Sequence, residues 1–196
     1  AHPYIDIIVH GEGEQVLENI FRAYSRGTGY EDVKGIETRD FSTPPQDRLK
    51  DLSELPSPYL TNLIWDLVEP EPGVKYVAAW ESNRGCPFSC TFCDWGSATM
   101  SKVRKKSLDR LMQEIEWFGK NNIPYIDVCD ANFGLFKGID LELAKKFAAV
   151  KEEYGYPEKI RPAWAKVSSE KIIPVAKVLL ESKMLRAVTL AVQSLD

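Results

Sequence analysis

An α/β fold built on a parallel sheet is what this sequence predicts. From Lys75 onward, short β-branched apolar runs alternate with segments whose apolar residues recur at helical spacing. Glycine, asparagine and proline sit between the runs, where turns belong. The composition is 44% hydrophobic and 28% charged with a net charge of -4, as expected of a globular chain that can bury a core. That acidic balance argues against a nucleic-acid partner. The one dense basic run, Ser101 to Lys106, reads as a solvated loop or helix entry rather than a phosphate patch. No apolar run reaches the roughly 18 residues that a membrane span needs. The start has neither a basic region nor a cleavage site, so no membrane is expected and the cytoplasm is the expected compartment.

Each element follows from its residues. Tyr4 to Val9 is a β-branched, apolar strand, and "GEGE" (Gly11 to Glu14) turns it into a helix with Val16, Leu17, Ile20, Phe21 and Tyr24 on one face, ended by Gly27 and Gly29. A parallel strand does not stand alone, so the neighbours of this βα unit are expected upstream of Ala1 or are missing altogether. Six prolines between Asp40 and Gly73 mark a linker, with Tyr59, Leu60 and Trp65 available to fold against neighbours. "KYVAAWES" is a strand. Ser107 then offers an N-cap for a helix carrying Leu108, Leu111, Met112, Ile115 and Phe118. "IPYIDVCD" is the next strand. Asp140 caps a helix carrying Leu143, Ala144, Phe147 and Tyr154, and "IRPAWAKVS" is a third strand. A helix from about Ser169 carries Ile172, Ile173, Ala176, Leu179 and Leu180, and "RAVTLAVQS" makes a fourth strand. Periodicity alone leaves an open doubly wound sheet and part of a βα barrel equally admissible. In both, chemistry gathers at the carboxyl ends of the strands. The domains expected are residues 1–39, a linker over 40–73, and a core over 74–196. The chain opens on a strand without Met and ends just after an apolar run, so a piece of a longer protein is expected.

Three of the four cysteines, Cys86, Cys90 and Cys93, fall at C-x3-C-x2-C spacing on the loop after the first core strand. Such short spacings let thiolates converge on one inorganic centre, and Pro87 helps to fix the turn. A structural zinc wants a fourth ligand. His2 and His10 precede the linker, Asp94 would be an uncommon partner, and Cys129 reads as a buried structural thiol inside an apolar strand. A [4Fe-4S] cluster fits three thiolates better, with one iron left open for a ligand that is not protein. A zinc or iron-sulfur structural module without catalysis stays as the alternative.

"CPFSCTFC" resembles the C-x3-C-x-aromatic-C signature of the radical S-adenosylmethionine (radical SAM) enzymes, with Phe92 in the aromatic position. The resemblance implies a partial (βα)6 barrel, with about four βα units present here. It also implies a [4Fe-4S] cluster on Cys86, Cys90 and Cys93, S-adenosylmethionine at the open iron, and reductive cleavage to a 5′-deoxyadenosyl radical. Phe92 would pack by the adenine. "CDANFG" is similar to the Asp-containing motif of the cobalamin-associated branch, which nominates Asp130 and Asn132 for the cofactor's amino group. The structural reading of that pair is a strand cap and a turn. Gln193, with Ser194, is similar to the "QS" that ends the fourth strand in that branch. Trp164 and Lys166 on the third strand could face the barrel interior, core packing being the better reading for Trp164. "HPYIDIIVHGEGEQVLENIF" resembles the last βα unit of the Rossmann-like cobalamin-binding domain that precedes such barrels, and "LSELPSPYL" the joining linker. The Asp-x-His-x-x-Gly motif that supplies a lower cobalamin ligand is absent from the sequence. The resemblance implies cobalamin in the full-length protein, methylation of an unreactive carbon as one candidate reaction, and a non-methylating radical reaction as another. It also implies a small-molecule or natural-product-type substrate and an electron donor such as flavodoxin or ferredoxin.

Overall fold

The computed structural model describes residues 3–63, 65–69, 71–93, 102–164 and 169–188, and the chain divides into two units, Ala1–Lys50 and Asp51–Asp196.

In the first unit a short strand β1 (Ile8–Val9) leads through Gly11, at φ 82°, into helix α1 (Gly13–Arg26). Gly27 closes the helix in the left-handed conformation, its N–H donating to the Ala23 and Tyr24 carbonyls, as a glycine at this position is suited to do. Among the described residues β1 has a partner downstream. Strand β2 (Ile36–Glu37) pairs with it antiparallel, Ile8 opposite Glu37 and Val9 opposite Ile36. Sequence periodicity missed β2 because two residues are too few to show alternation. Gly35, at φ 78°, turns the chain into it. Val16, Ala23, Val33 and Ile36 form the small core, whereas Leu17, Phe21 and Tyr24 on the expected apolar face of α1 are exposed.

The second unit is organised by a parallel sheet in which β3 (Val77–Trp80), β6 (Tyr125–Val128) and β7 (Lys159–Arg161) lie side by side in chain order. Val77 sits opposite Tyr125 and Trp80 opposite Val128; Ile126 sits opposite Ile160. Helices α2 (Leu108–Lys120), α3 (Lys137–Tyr154) and α4 (Ser169–Glu181) follow the three strands in turn. Ala78, Trp80, Ile126, Val128 and Ile160 alternate inward and share one core with Phe118, Leu143, Phe147 and Leu179 of the helices. The Trp80 and Phe147 rings meet edge to face at 5.3 Å. The residues between them on the strands, among them Val77, Ala79, Lys159 and Arg161, are exposed, so the described helices cover a single face of the sheet.

Ser107 caps α2 as expected, its Oγ accepting from Arg110 N. Asp140 does not occupy the cap of α3. That helix starts at Lys137, and Asp140 reaches back from the first turn to accept from Phe136 N at 2.8 Å. The proline-rich segment is divided between the units. Its second part carries a short 3-10 turn (Leu52–Glu54) with Leu52 fully buried, and Tyr59 and Trp65 pack on Trp117 at ring distances of 5.5 and 5.1 Å. From Lys102 the basic run leads into α2 as a helix entry, and it is paired on the way rather than a free loop. Strand β5 (Arg104–Lys105) pairs antiparallel with β4 (Asn83–Arg84) at the foot of the cysteine loop. The fourth predicted strand lies largely outside the described residues. No helix among those described is long and apolar enough to cross a membrane.

Candidate active site

The site begins with strand register. Trp80 lies opposite Val128, and side chains alternate with period two, so Ser82 and Asp130, two residues further along each strand, point the same way as neighbours. Cys129 N donates to the Trp80 carbonyl at 2.7 Å and keeps the two strand ends together. The Asp130 side chain is buried, and both of its oxygens are occupied. Oδ1 accepts from Ser82 N at 2.7 Å and Asn83 N at 3.1 Å, and Oδ2 accepts from Ser82 Oγ and from Asn83 Nδ2 at 2.8 Å. Burial pushes this carboxyl up to about 7, against the pull of Ser82 Oγ and the Asn83 and Ser82 N–H groups. Asp130 therefore grips the root of the cysteine loop.

The loop is held from its other side by β5. Lys106 N donates to the Ser82 carbonyl at 3.0 Å, and Lys106 Nζ lies 3.7 Å from Glu81, which also takes Arg84 Nε at 3.0 Å. Burial lowers the pKa of Lys106. Gly85, at φ 116°, carries the chain out of this clasp. A Cβ there would lie 2.2 Å from the Lys102 carbonyl oxygen, so only glycine fits. Cys86, Cys90 and Cys93 follow, each half-buried, with Cys93 N donating to the Cys90 carbonyl at 3.2 Å in a tight turn. All three thiols line one cavity of about 490 Å³, together with Phe92, Asn132 and the end of β6. Asn132 Nδ2 donates to Cys86 Sγ at 3.5 Å. Among the described residues, no three His, Cys, Asp or Glu side chains converge on a site for a single metal ion. A larger cavity of about 670 Å³ runs along β7 and contains no cysteine.

No protein-family model matches the chain. Individual relatives do. Over the whole chain it is 40% identical to the cobalamin-dependent radical SAM methyltransferase TokK of Streptomyces tokunonensis. It is 39% identical to the 2-(S-pantetheinyl)-carbapenam-3-carboxylate methyltransferase of Streptantibioticus cattleyicolor. It spans about 30% of the length of each. Its fold matches that of TsrM, a radical S-adenosylmethionine methyltransferase from Kitasatospora setae, at a TM-score of 0.60 and 16% identity, over 91% of this chain and 36% of that one. The chain belongs to the cobalamin-associated radical SAM proteins.

Within this radical SAM chain, the structure brings together six of the sequence-nominated residues. Cys86, Cys90, Cys93, Phe92 and Asn132 surround the cavity, and Asp130 lies at its edge with its carboxylate turned to Ser82 and Asn83. Phe92 is 74% exposed at the rim. Gln193, Ser194 and Lys166 lie outside the described residues. Trp164 is buried against Phe133 at 6.0 Å, in keeping with core packing. Cys129 is a correction. It is exposed rather than buried, because β6 ends at Val128, and it too lines the cavity, with Sγ 3.6 Å from the Asp127 carbonyl. Sequence reasoning missed Ser82, Asn83 and Gly85. The one legible signal was the short polar string between an apolar strand and the first cysteine.

Proposed function

We propose that this chain carries the cluster-binding start of a radical SAM enzyme, with Cys86, Cys90 and Cys93 holding a [4Fe-4S] cluster. The observation that carries the reading is the gathering of all three thiols on one cavity at the carboxyl ends of parallel strands. The donor set suits a cluster better than zinc, since a structural zinc takes four ligands and the loop offers three thiolates at C-x3-C-x2-C spacing. The chemistry supplied by a cluster held there is one-electron reduction of S-adenosylmethionine with loss of its sulfonium C–S bond. The chain's own residues position and shield. Asp130 and β5 fix the loop, Asn132 supports Cys86, and Phe92 at the rim offers a ring face for the adenine.

The singly wound strand order and a sheet covered on one face support a partial (βα)6 barrel over a doubly wound sheet, which would carry helices on both faces. The exposed face, with Asp127 held by Arg161, would then line the lumen. For the intact protein we assign cobalamin to a Rossmann-like domain that ends in the first unit. The reaction we assign is methylation of an unreactive carbon on a natural-product-type small molecule, with a flavodoxin or ferredoxin as electron donor and the cytoplasm as compartment. The two relatives at 40% and 39% identity, both named methyltransferases, support that assignment. Anaerobic reconstitution with iron and sulfide tests the core of it. The parent should bind iron and acid-labile sulfide in equal amounts, and Cys86→Ala, Cys90→Ala and Cys93→Ala should each lose most of both. Equal loading in the three variants would end the proposal.

A further inference from the structure

Asn132 stands in a loop pinned on both sides of it. Asp130, two residues before, is locked to Ser82 and Asn83 by four hydrogen bonds. Phe133, the next residue, is fully buried, and its N–H donates to the Ala163 carbonyl at 2.8 Å. Gly134 then turns away at φ 91°, where a Cβ would touch the Trp164 ring at 3.5 Å. Between these anchors Asn132 is 2% exposed, and its amide nitrogen lies 3.5 Å from Cys86 Sγ. A donor this confined keeps its aim while the sulfur's charge changes.

Hydrogen bonds to the sulfurs are among the determinants of an iron-sulfur potential. Bonds to charged acceptors are roughly twice as strong as neutral ones. Adding an electron to a cluster increases the negative charge on its thiolates, so an N–H aimed at one of them favours the reduced state. Resting on the cluster reading above, we propose that Asn132 is a positioning residue that sets the redox poise of the cluster through its N–H···S bond to Cys86.

Asn132→Leu removes the donor at nearly constant volume, and Asn132→Asp replaces it with an acceptor. Each variant and the parent would be reconstituted anaerobically, assayed for iron and sulfide, and titrated electrochemically with the reduced cluster followed by electron paramagnetic resonance. With loading unchanged, Asn132→Leu should shift the reduced-to-oxidised ratio at a fixed potential by about tenfold toward oxidised, about 59 mV for a one-electron couple. Asn132→Asp should shift it further in the same direction. A variant that loads fully with the parent's potential or a higher one overturns the proposal. So does loss of the cluster from both variants, which would make the bond a retaining contact rather than a tuning one. A parent that takes up no cluster would instead overturn the reading of the three cysteines, and the inference with it.

Discussion

Replacing Asp130 separates the clasp from the charge that makes it. Asp130→Ala leaves Ser82 N, Asn83 N and Asn83 Nδ2 without their acceptor, in a place where Ser82 is 3% and Asn83 2% exposed. Each orphaned buried donor costs about 1–3 kcal/mol, and a water in the space left by the carboxylate would recover part of that, so we expect a loss of about 3–5 kcal/mol. Asp130→Asn should cost about 1 kcal/mol or less. Its carbonyl keeps the two backbone donors. Its NH2 meets Ser82 Oγ, which rotates to accept, and the Asn83 amide, whose buried Oδ1 has no partner and can turn to receive it. The two variants should also differ from the parent in pH dependence. Burial raises the Asp130 carboxyl from 3.8 to about 7, so in that window the folded chain holds a proton that the unfolded chain has released. The contribution of Asp130 to stability is then greatest below about pH 4 and is lost as pH climbs through 7. Asp130→Asn should flatten that decline, leaving the smaller part due to Asp140, which burial raises to about 6. Urea unfolding followed by tryptophan fluorescence at pH 5.5 and 8 measures both effects. An alanine variant within 1 kcal/mol of the parent, or an asparagine variant as damaged as alanine, would refute the reasoning.

Other perturbations test other parts. Gly85→Ala forces a Cβ to within 2.2 Å of the Lys102 carbonyl at a φ of 116°, and should abolish iron uptake while the melting transition of the helices persists. Glu114 is buried between Trp80 Nε1 at 2.8 Å and Arg110 Nε at 2.9 Å, and Arg110 in turn donates to the Leu52 and Leu55 carbonyls. Glu114→Ala should therefore cost about 3–5 kcal/mol in urea unfolding and make the chain after Asp51 more susceptible to limited proteolysis. Cys129→Ala should leave iron and sulfide content at the parent's level, because the cluster reading uses three thiols; loss of a quarter or more of the iron would make Cys129 a ligand.

The long elements were legible because their periodicity is strong. Leu111, Ile115 and Phe118, or Leu143 and Phe147, mark helical faces that the sheet buries completely, and the strands VAAW and YIDV alternate in and out as pleated chains do. The short elements were not. β2, β4 and β5 are two residues each, and their pairing comes from the turns and carbonyls of residues far away in sequence. The bounds of α3 moved because Asp140 acts from inside the first turn.

Local chemistry is what the sequence by itself determined. Three thiols spaced within eight positions can reach a common centre whatever surrounds them, because a short loop has little freedom to separate them. The tertiary structure alone decided what holds that loop. Ser82 and Asp130 are 48 residues apart and meet only because two parallel strands pair in one register, with Trp80 opposite Val128. A slip of a single residue would turn Asp130 to the opposite face of the sheet, and the cysteines would lose the carboxylate that anchors them.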